Sequence, residues 1–271
     1  METFFKRAGG PPPTVNYEAD HVACAGFDLR GVVSTERIER LVKLIRQLVQ
    51  PRQGHTPRLL DIGCGTGRFA IPLACSLEEF SVTGADASEK MLEQARQKPQ
   101  AARVNWSLQN VCSQNFESGS FDVVFLSDLL HHIDDPVAAL RECFRVLRPG
   151  GWLISKYGAM ENIAHDPEHR FFPGTIEVDA ARTPTEPMMA HWLEQAGFNR
   201  IASQTQEERT RITAECRLAA AQAKSISVLH LISREQFQQG LRDLSQFINS
   251  HPDDPWLLVD PTTWTWGQRP A

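Results

Sequence analysis

No stretch of the chain approaches the roughly 18 consecutive apolar residues of a membrane-spanning helix, so no membrane span is expected. The opening METFFKRAGGPPP lacks the apolar centre of a secretion signal. It predicts no targeting segment and a cytoplasmic location. Cysteine is sparse and scattered: Cys24, Cys64, Cys75, Cys112, Cys143 and Cys216 form no C-x-x-C pair. That excludes a disulfide framework or thiolate zinc site as an organising device and predicts reduced thiols, mostly buried. Basic excess is absent too, the net charge being −5. A dominant grip on a phosphate backbone is not expected, although a local basic patch remains compatible with this balance. Low complexity and repeats are missing as well. What is present is a globular composition: 271 residues, 41% hydrophobic, with 17 Gly and 17 Pro. That length readily supports a core.

The hydrophobic pattern is that of alternating strands and helices. After a Gly/Pro-rich start, Ile38, Leu41, Val42, Ile45, Leu48 and Val49 recur at helical spacing between Ser34 and Gln50, with Pro51 following. Then come a strand at 59–62, a helix from Gly67 to about Leu77, a strand at 81–85 and a helix over 88–98. A strand at 103–108 follows, then a strongly apolar one at 121–126. A helix through Val137, Leu140, Cys143, Phe144 and Leu147 stops at Arg148-Pro149-Gly150-Gly151, before a strand at 152–155. Such alternation with short connections predicts right-handed βαβ units and a parallel sheet. Beyond Lys156 the rhythm changes. Residues 157–183 read as a long connection with little periodic signal. A helix is expected at 185–196, a strand at 198–206, two or more helices at 209–249 and a strand at 256–266. The expectation is one α/β domain with helical additions.

The sharpest local signal is Asp61-Ile62-Gly63-Cys64-Gly65-Thr66-Gly67 between strand and helix. Glycines there let a ligand approach the backbone beside the N–H groups at the helix start. A Walker A loop needs Gly-Lys-Ser/Thr, but Arg68-Phe69 stands there. A dinucleotide fingerprint wants its third glycine where Arg68 sits. The G-x-G-x-G spacing suits instead a ligand with a carboxylate and an adenosine. Asp86 ends the second apolar strand, where a carboxylate can accept both ribose hydroxyls of a nucleoside. The competing reading of Asp86 is a turn or helix-capping residue.

DIGCGTG, the acid of GADASEKMLEQAR, then GSFDVVFLSDLLHHIDDP and LRECFRVLRPGG occur in that order over residues 57–156. This series resembles the motifs of class I S-adenosylmethionine-dependent methyltransferases. The likeness is greatest to the branch of ubiquinone and menaquinone C-methyltransferases and small-molecule O- and N-methyltransferases. The resemblance implies an α/β fold, a doubly wound, Rossmann-like, mostly parallel seven-stranded sheet with helical lid insertions, its reversed final strand supplied by 256–266. It implies S-adenosyl-L-methionine as cofactor and S-adenosyl-L-homocysteine as product. Asp61, Gly63, Cys64, Gly65 and Gly67 would hold the methionine end and Asp86 the ribose. Ala87 and Met91 would border the adenine, and Ser127 would flank the sulfonium through its backbone. Asn110-Val111 stands where the family has Asp and a small apolar residue; the Asn110 oxygen can still accept from the adenine amine, without the charge. Residues 1–56 are expected as an arm and helix over the cofactor. Residues 57–271 are expected as the methyltransferase domain, with substrate-lid insertions near 157–183 and 209–250.

His131 and His132 follow the fourth strand, beyond whose carboxyl end ligands bind in open α/β sheets. A histidine there can take a proton from a hydroxyl, amine or activated carbon. Adjacent residues are expected to point apart, so at most one is the base; His131 is the first choice and His132 the second. The competing reading has both merely packing or capping the next helix. Asp134-Asp135-Pro136 reads as the start of that helix. On the substrate side stand Tyr17, His21, Phe27, Arg30, His165, His169, Arg170, Phe171, Phe172, Arg209, Arg211, Arg217 and His230. An aromatic lid with a few cations would suit a partly apolar, anionic small molecule. The alternative is that Phe171 and Phe172 are core and the arginines are solvated or paired with Glu207, Glu208 and Glu215. No metal is expected. The Asn/Asp-Pro-Pro-Tyr signature of exocyclic-amine methylation is absent, as is a Pro-Cys nucleophile. The expected function is methyl transfer to an O, N or C atom of a small molecule by a monomer or homodimer without nucleic acid. A tRNA or protein methyltransferase, or a non-catalytic cofactor-binding partner protein, stays open beside it.

Overall fold

The computed structural model describes Val15, Asp28 and residues 33–50, 52–165, 169–254 and 256–271. Within these residues the chain divides into two compact units: 33–157 with 189–203 and 264–271, and 158–188 with 204–263.

In the first unit, α1 (Thr35–Leu48) buries Ile38, Leu41, Val42 and Ile45, the helical stripe expected, and Ser34 caps it by accepting the Arg37 N–H. β1 (Arg58–Ile62) follows, buried in its last four residues. Then come α2 (Ala70–Ser76), β2 (Ser81–Asp86), α3 (Glu89–Arg96) and β3 (Val104–Leu108). β4 (Phe121–Ser127) is buried in all but its last residue, the mark of a central strand covered on both faces. α4 (Pro136–Val146) starts on Asp135, whose carboxylate accepts the Ala138 N–H, with Pro136 preset for the first turn. β5 (Leu147–Tyr157) completes the parallel run. α2 begins three residues later than the sequence suggests, because Gly67 sits at φ +78°, outside the helical region.

The later elements are α5 (Thr175–Arg182), α6 (Glu186–Gln195), β6 (Asn199–Arg211), α7 (Ala214–Gln222), α8 (Arg234–Ser250) and β7 (Leu257–Gln268). The seven strands lie in the order β3-β2-β1-β4-β5-β7-β6. β1 pairs in parallel with both β2 and β4, as do β2 with β3 and β4 with β5. β7 runs against its neighbours. Arg269 exchanges backbone bonds with Gly150 and Gly151, while Thr265, earlier in β7, meets Tyr157, later in β5. On the other side Ser203 meets Thr265 and Thr205 meets Thr263. The doubly wound sheet with a reversed last strand is therefore present. Strand order turns back between β1 and β4, and such a switch point opens a crevice at the carboxyl ends.

Three local expectations change. Arg148–Gly151 continues as strand, because the Arg269 backbone supplies its ladder bonds. The stretch read as structureless holds a short 3-10 turn (Met160–His165) and α5. The buried face of α5 is polar: Thr175 Oγ1 donates to the Phe172 carbonyl, and Arg182 donates to Asp179 and Ser227, so hydropathy could not reveal it. Arg209 and Arg211 lie on β6, ahead of the helices expected from 209.

The second unit has its own apolar cluster. Phe171, Phe172, Val228, Leu229, Phe237, Leu244 and Trp256 are buried there. Ser233 and Gln236 form a reciprocal capping box on α8. Gly240 faces the Phe172 ring so closely that a Cβ would collide with it. Gly240→Ala is expected to lower stability by about 2 kcal/mol, although alanine ordinarily gains ~1 kcal/mol over glycine inside a helix. Urea denaturation of the two proteins measures the difference. Among the described residues, no helix is long and apolar enough to cross a membrane.

Candidate active site

Everything at the switch point is carried by four strand ends. After β1 the chain turns through Gly63, Gly65 and Gly67 at φ +75°, +53° and +78°. Side-chain-bearing residues rarely adopt this left-handed region. The turn is pinned from below: the Gly63 and Cys64 N–H groups both donate to the Ala85 carbonyl, at 2.7 and 3.0 Å. From the side, Gly65 N–H donates to Asp86 Oδ2 at 2.7 Å, and Ser88 N–H to Oδ1 at 2.9 Å. A Cβ on Gly67 would lie 2.7 Å from the Trp106 ring, and one on Gly63 2.8 Å from the Leu129 side chain. The loop is thus a bare-backbone cradle held between β2 and the turn after β4.

Asp61 lies beneath this cradle, 1% exposed, and neither carboxylate oxygen has a hydrogen-bond partner. Burial and the nearby Asp86 carboxylate raise its pKa from 3.8 to about 8, and the Ala70 amide offsets only part of this. A buried acid with so little hydrogen-bond support calls for a cation. In its absence the folded chain keeps a proton on Asp61 that the unfolded chain has released. Stability from this group is therefore present in acid and lost as pH rises from about 4 toward 8. Asp61→Asn should flatten that decline, as read from denaturant midpoints across the range. Burial, Asp61 and Asp86 likewise push the Cys64 thiol far up, so it is a neutral lining group and no nucleophile.

Asp86 closes β2, half-buried, between the loop and α3. A carboxylate oxygen can accept more than one hydrogen bond. Ala87 is exposed, and Met91 is 2% exposed within α3. Asn110 is exposed beyond β3, its Oδ1 accepting the Cys112 N–H at 2.8 Å, and Val111 is buried beside it. The Asn110 oxygen is therefore already engaged in a local turn.

Beyond β4, Ser127 is half-buried. Asp128 is left-handed at φ +50°, a conformation costing about 1 kcal/mol that Asp tolerates better than most residues. Its N–H donates to the Lys156 carbonyl at 2.8 Å, and Lys156 Nζ donates to its Oδ2 at 2.6 Å. This ion pair was not singled out by sequence reasoning. Its signal was Lys156, the one charged residue in the apolar run Trp152-Leu153-Ile154-Ser155-Lys156-Tyr157. His131 and His132 end a 3-10 turn, both partly buried. Their ring centroids lie 4.0 Å apart, so the adjacent side chains converge where the sequence suggested divergence.

The structure brings Asp61, the glycine loop, Asp86, Ser127 and the histidine turn to one edge of the sheet in the first unit. Arg170 and Phe171 belong to the second unit, where the Arg170 guanidinium lies over the Phe171 and Phe247 rings, at 5.1 and 4.2 Å. Phe171 and Phe172 are core residues of that unit. Arg209 lies 3.5 Å from Glu207. Tyr17, His21, Phe27 and Arg30 lie outside the described residues.

Comparison with known proteins agrees with this geometry. Residues 60–155 match the family described as a methyltransferase domain. The chain is similar to 27-O-demethylrifamycin SV methyltransferase of Amycolatopsis mediterranei (strain S699), with 38% identity over 131 residues, 47% of each chain. The chain spans about half the length of the curated relatives it matches. Among solved structures, one from an antibiotic biosynthesis pathway of Anabaena variabilis ATCC 29413 aligns with a TM-score of 0.68 at 20% identity, covering 86% of this chain and 99% of that one. Phosphoethanolamine N-methyltransferase 2 of Haemonchus contortus, solved with S-adenosylhomocysteine, aligns at 0.56 and 20% identity, over 95% of this chain and 61% of that one. These two likenesses establish the fold. Residues 60–155 of this chain thus match a methyltransferase domain and carry the first five strands of the seven-stranded Rossmann-like sheet.

Proposed function

We propose that this chain is an S-adenosylmethionine-dependent methyltransferase acting on a small molecule. The observation that carries the reading is the buried, poorly hydrogen-bonded carboxylate of Asp61 beneath a loop of three left-handed glycines. A ligand with an ammonium, a carboxylate and a ribose answers the acid, the bare amides and Asp86 together. When bound, S-adenosylmethionine supplies an electrophilic methyl group on a sulfonium. Asp61 faces the ammonium of its amino-acid end, and Gly63, Cys64, Gly65 and Gly67 present backbone to that end. Asp86 accepts from the ribose hydroxyls. Ala87, Met91, Asn110 and Val111 border the base, and Ser127 flanks the reacting centre. His131, seconded by His132, takes the proton of a protonated acceptor. Residues 1–56 act as an arm over the cofactor. The segments near 157–183 and 209–250, with Tyr17, His21 and Arg170, act as the substrate lid, where surface segments ordinarily carry specificity. The name of one relative, 27-O-demethylrifamycin SV methyltransferase, supports that substrate class. The cytoplasm is the proposed setting.

Two measurements test the reading. Isothermal calorimetry with S-adenosylhomocysteine near pH 7 should show heat of binding and release of close to one proton, as the ligand ammonium pulls the Asp61 pKa down from about 8. Buffers of different ionisation heat reveal that proton. Labelled-methyl transfer into a cell extract, followed by mass identification, should then deliver a methylated metabolite. A protein that binds neither S-adenosylmethionine nor its homocysteine product is not this enzyme.

A further inference from the structure

Lys156 is a charged residue buried on a strand inside the sheet. It lies within a run of buried residues on β5, where Trp152, Leu153, Ile154, Ser155 and Tyr157 are all buried, and is itself 7% exposed. A buried Lys–Asp pair contributes about as much stability as an apolar pair of the same volume, so packing does not require it. The chain nevertheless holds Asp128 in the left-handed region, with its carboxylate against Lys156 Nζ at 2.6 Å. Backbone strain of this sort concentrates at functional sites. The pair is also asymmetric: the Lys156 side chain is 9% exposed and the Asp128 side chain 33%, so the ammonium meets the outside through its carboxylate partner. Leu129, the next residue, fills the space a Gly63 Cβ would occupy, which puts this turn against the glycine loop. The histidine pair follows two residues later.

Building on the methyltransferase reading above, we propose that Lys156 is the specificity-determining cation for an oxyanion acceptor, a carboxylate or an acidic phenol or enol, and that Asp128 is its stand-in anion in the free chain. The acceptor's oxygen replaces the Asp128 carboxylate on the ammonium. A fixed ammonium holds such an acceptor in its ionised, nucleophilic form. It repels amines that arrive as cations, and the exchange leaves no buried charge unpaired. Asp128, acting through Lys156, is a positioning residue.

The test uses 4-nitrophenol and benzoate as probes on the full chain with S-adenosylhomocysteine present. Wild type should bind 4-nitrophenol with its phenolate absorption band at a pH below the ionisation of the free probe. Benzoate should displace it and benzylamine should not. Lys156→Met should lose the band and at least tenfold in affinity, and Lys156→Arg should keep both. Asp128→Asn has the opposite sign: the competing anion is gone, Asn tolerates the left-handed turn, and benzoate should bind several-fold tighter. If Lys156→Met fails to fold, the Lys156→Arg and Asp128→Asn pair carries the test. A probe bound in its neutral form, Asp128→Asn binding benzoate no better than wild type, or failure of both anions to bind a protein that holds S-adenosylhomocysteine overturns the inference. Loss of S-adenosylhomocysteine binding by wild type strikes the methyltransferase reading itself, before any probe is added.

Discussion

Asp86→Ala should weaken S-adenosylhomocysteine binding by at least about 100-fold. Two hydrogen bonds from ribose hydroxyls to one carboxylate are each charge-assisted and contribute roughly 1.5–3 kcal/mol. Losing both amounts to about 3 kcal/mol or more, a factor of ~100 in Kd. The same substitution frees the Gly65 and Ser88 amides that Asp86 now accepts, loosening the cradle in addition. Asp86→Asn retains the shape and one acceptor oxygen and should fall between. A second readout separates ligand contact from loop support. The Asp86 charge is one cause of the high Asp61 pKa, so removing it should shift the pH-dependence of stability toward lower pH even without ligand. Calorimetry giving the same Kd for Asp86→Ala as for wild type removes Asp86 from the site.

His131→Ala should reduce turnover of a protonated acceptor by about 100-fold, with S-adenosylhomocysteine affinity unchanged. A positioned base contributes roughly 10²–10⁴ in rate, whereas alignment and dryness of the site contribute independently of it. The reaction should therefore slow without vanishing. The converging rings of His131 and His132 make the neighbour a ready substitute. His131→Ala/His132→Ala together should cost more than either alone, and a steady-state comparison of the four proteins reads the coupling. With an acceptor that arrives fully ionised, as Lys156 would favour, the effect of either histidine should shrink, since no proton remains to be taken. Full activity in the double variant with a protonated acceptor would show that the pair only packs.

Several features are legible in the sequence because they are local. The cap of α1 at Ser34 needs one side chain and one amide three residues on. The glycine loop needs residues free to adopt positive φ, and only glycine meets that need at little cost. Asp86 at the tip of β2 follows from strand length alone. What stayed hidden depends on partners distant in sequence. The helix α5 buries polar residues, and its Asp179–Arg182–Ser227 bonds reach 45 residues along the chain. Arg148–Gly151 continues β5 only because the Arg269 backbone closes its ladder from more than a hundred residues away. The convergence of His131 and His132 depends on the 3-10 turn that carries them.

The order of apolar runs, turns and glycines thus determined the alternating architecture, the loop and the acid behind it, since each follows from the conformational freedom and hydropathy of a few neighbouring residues. Tertiary structure alone decided the charge state of Asp61 and the partner of Lys156. A carboxylate acquires a pKa near 8 only when folding strips its water and sets Asp86 nearby. An ammonium on β5 finds Asp128 only when β4 pairs beside it in register, with Ser127 opposite Lys156. Desolvation and charge proximity arise from the packed assembly of strands, and no reading of one segment supplies them.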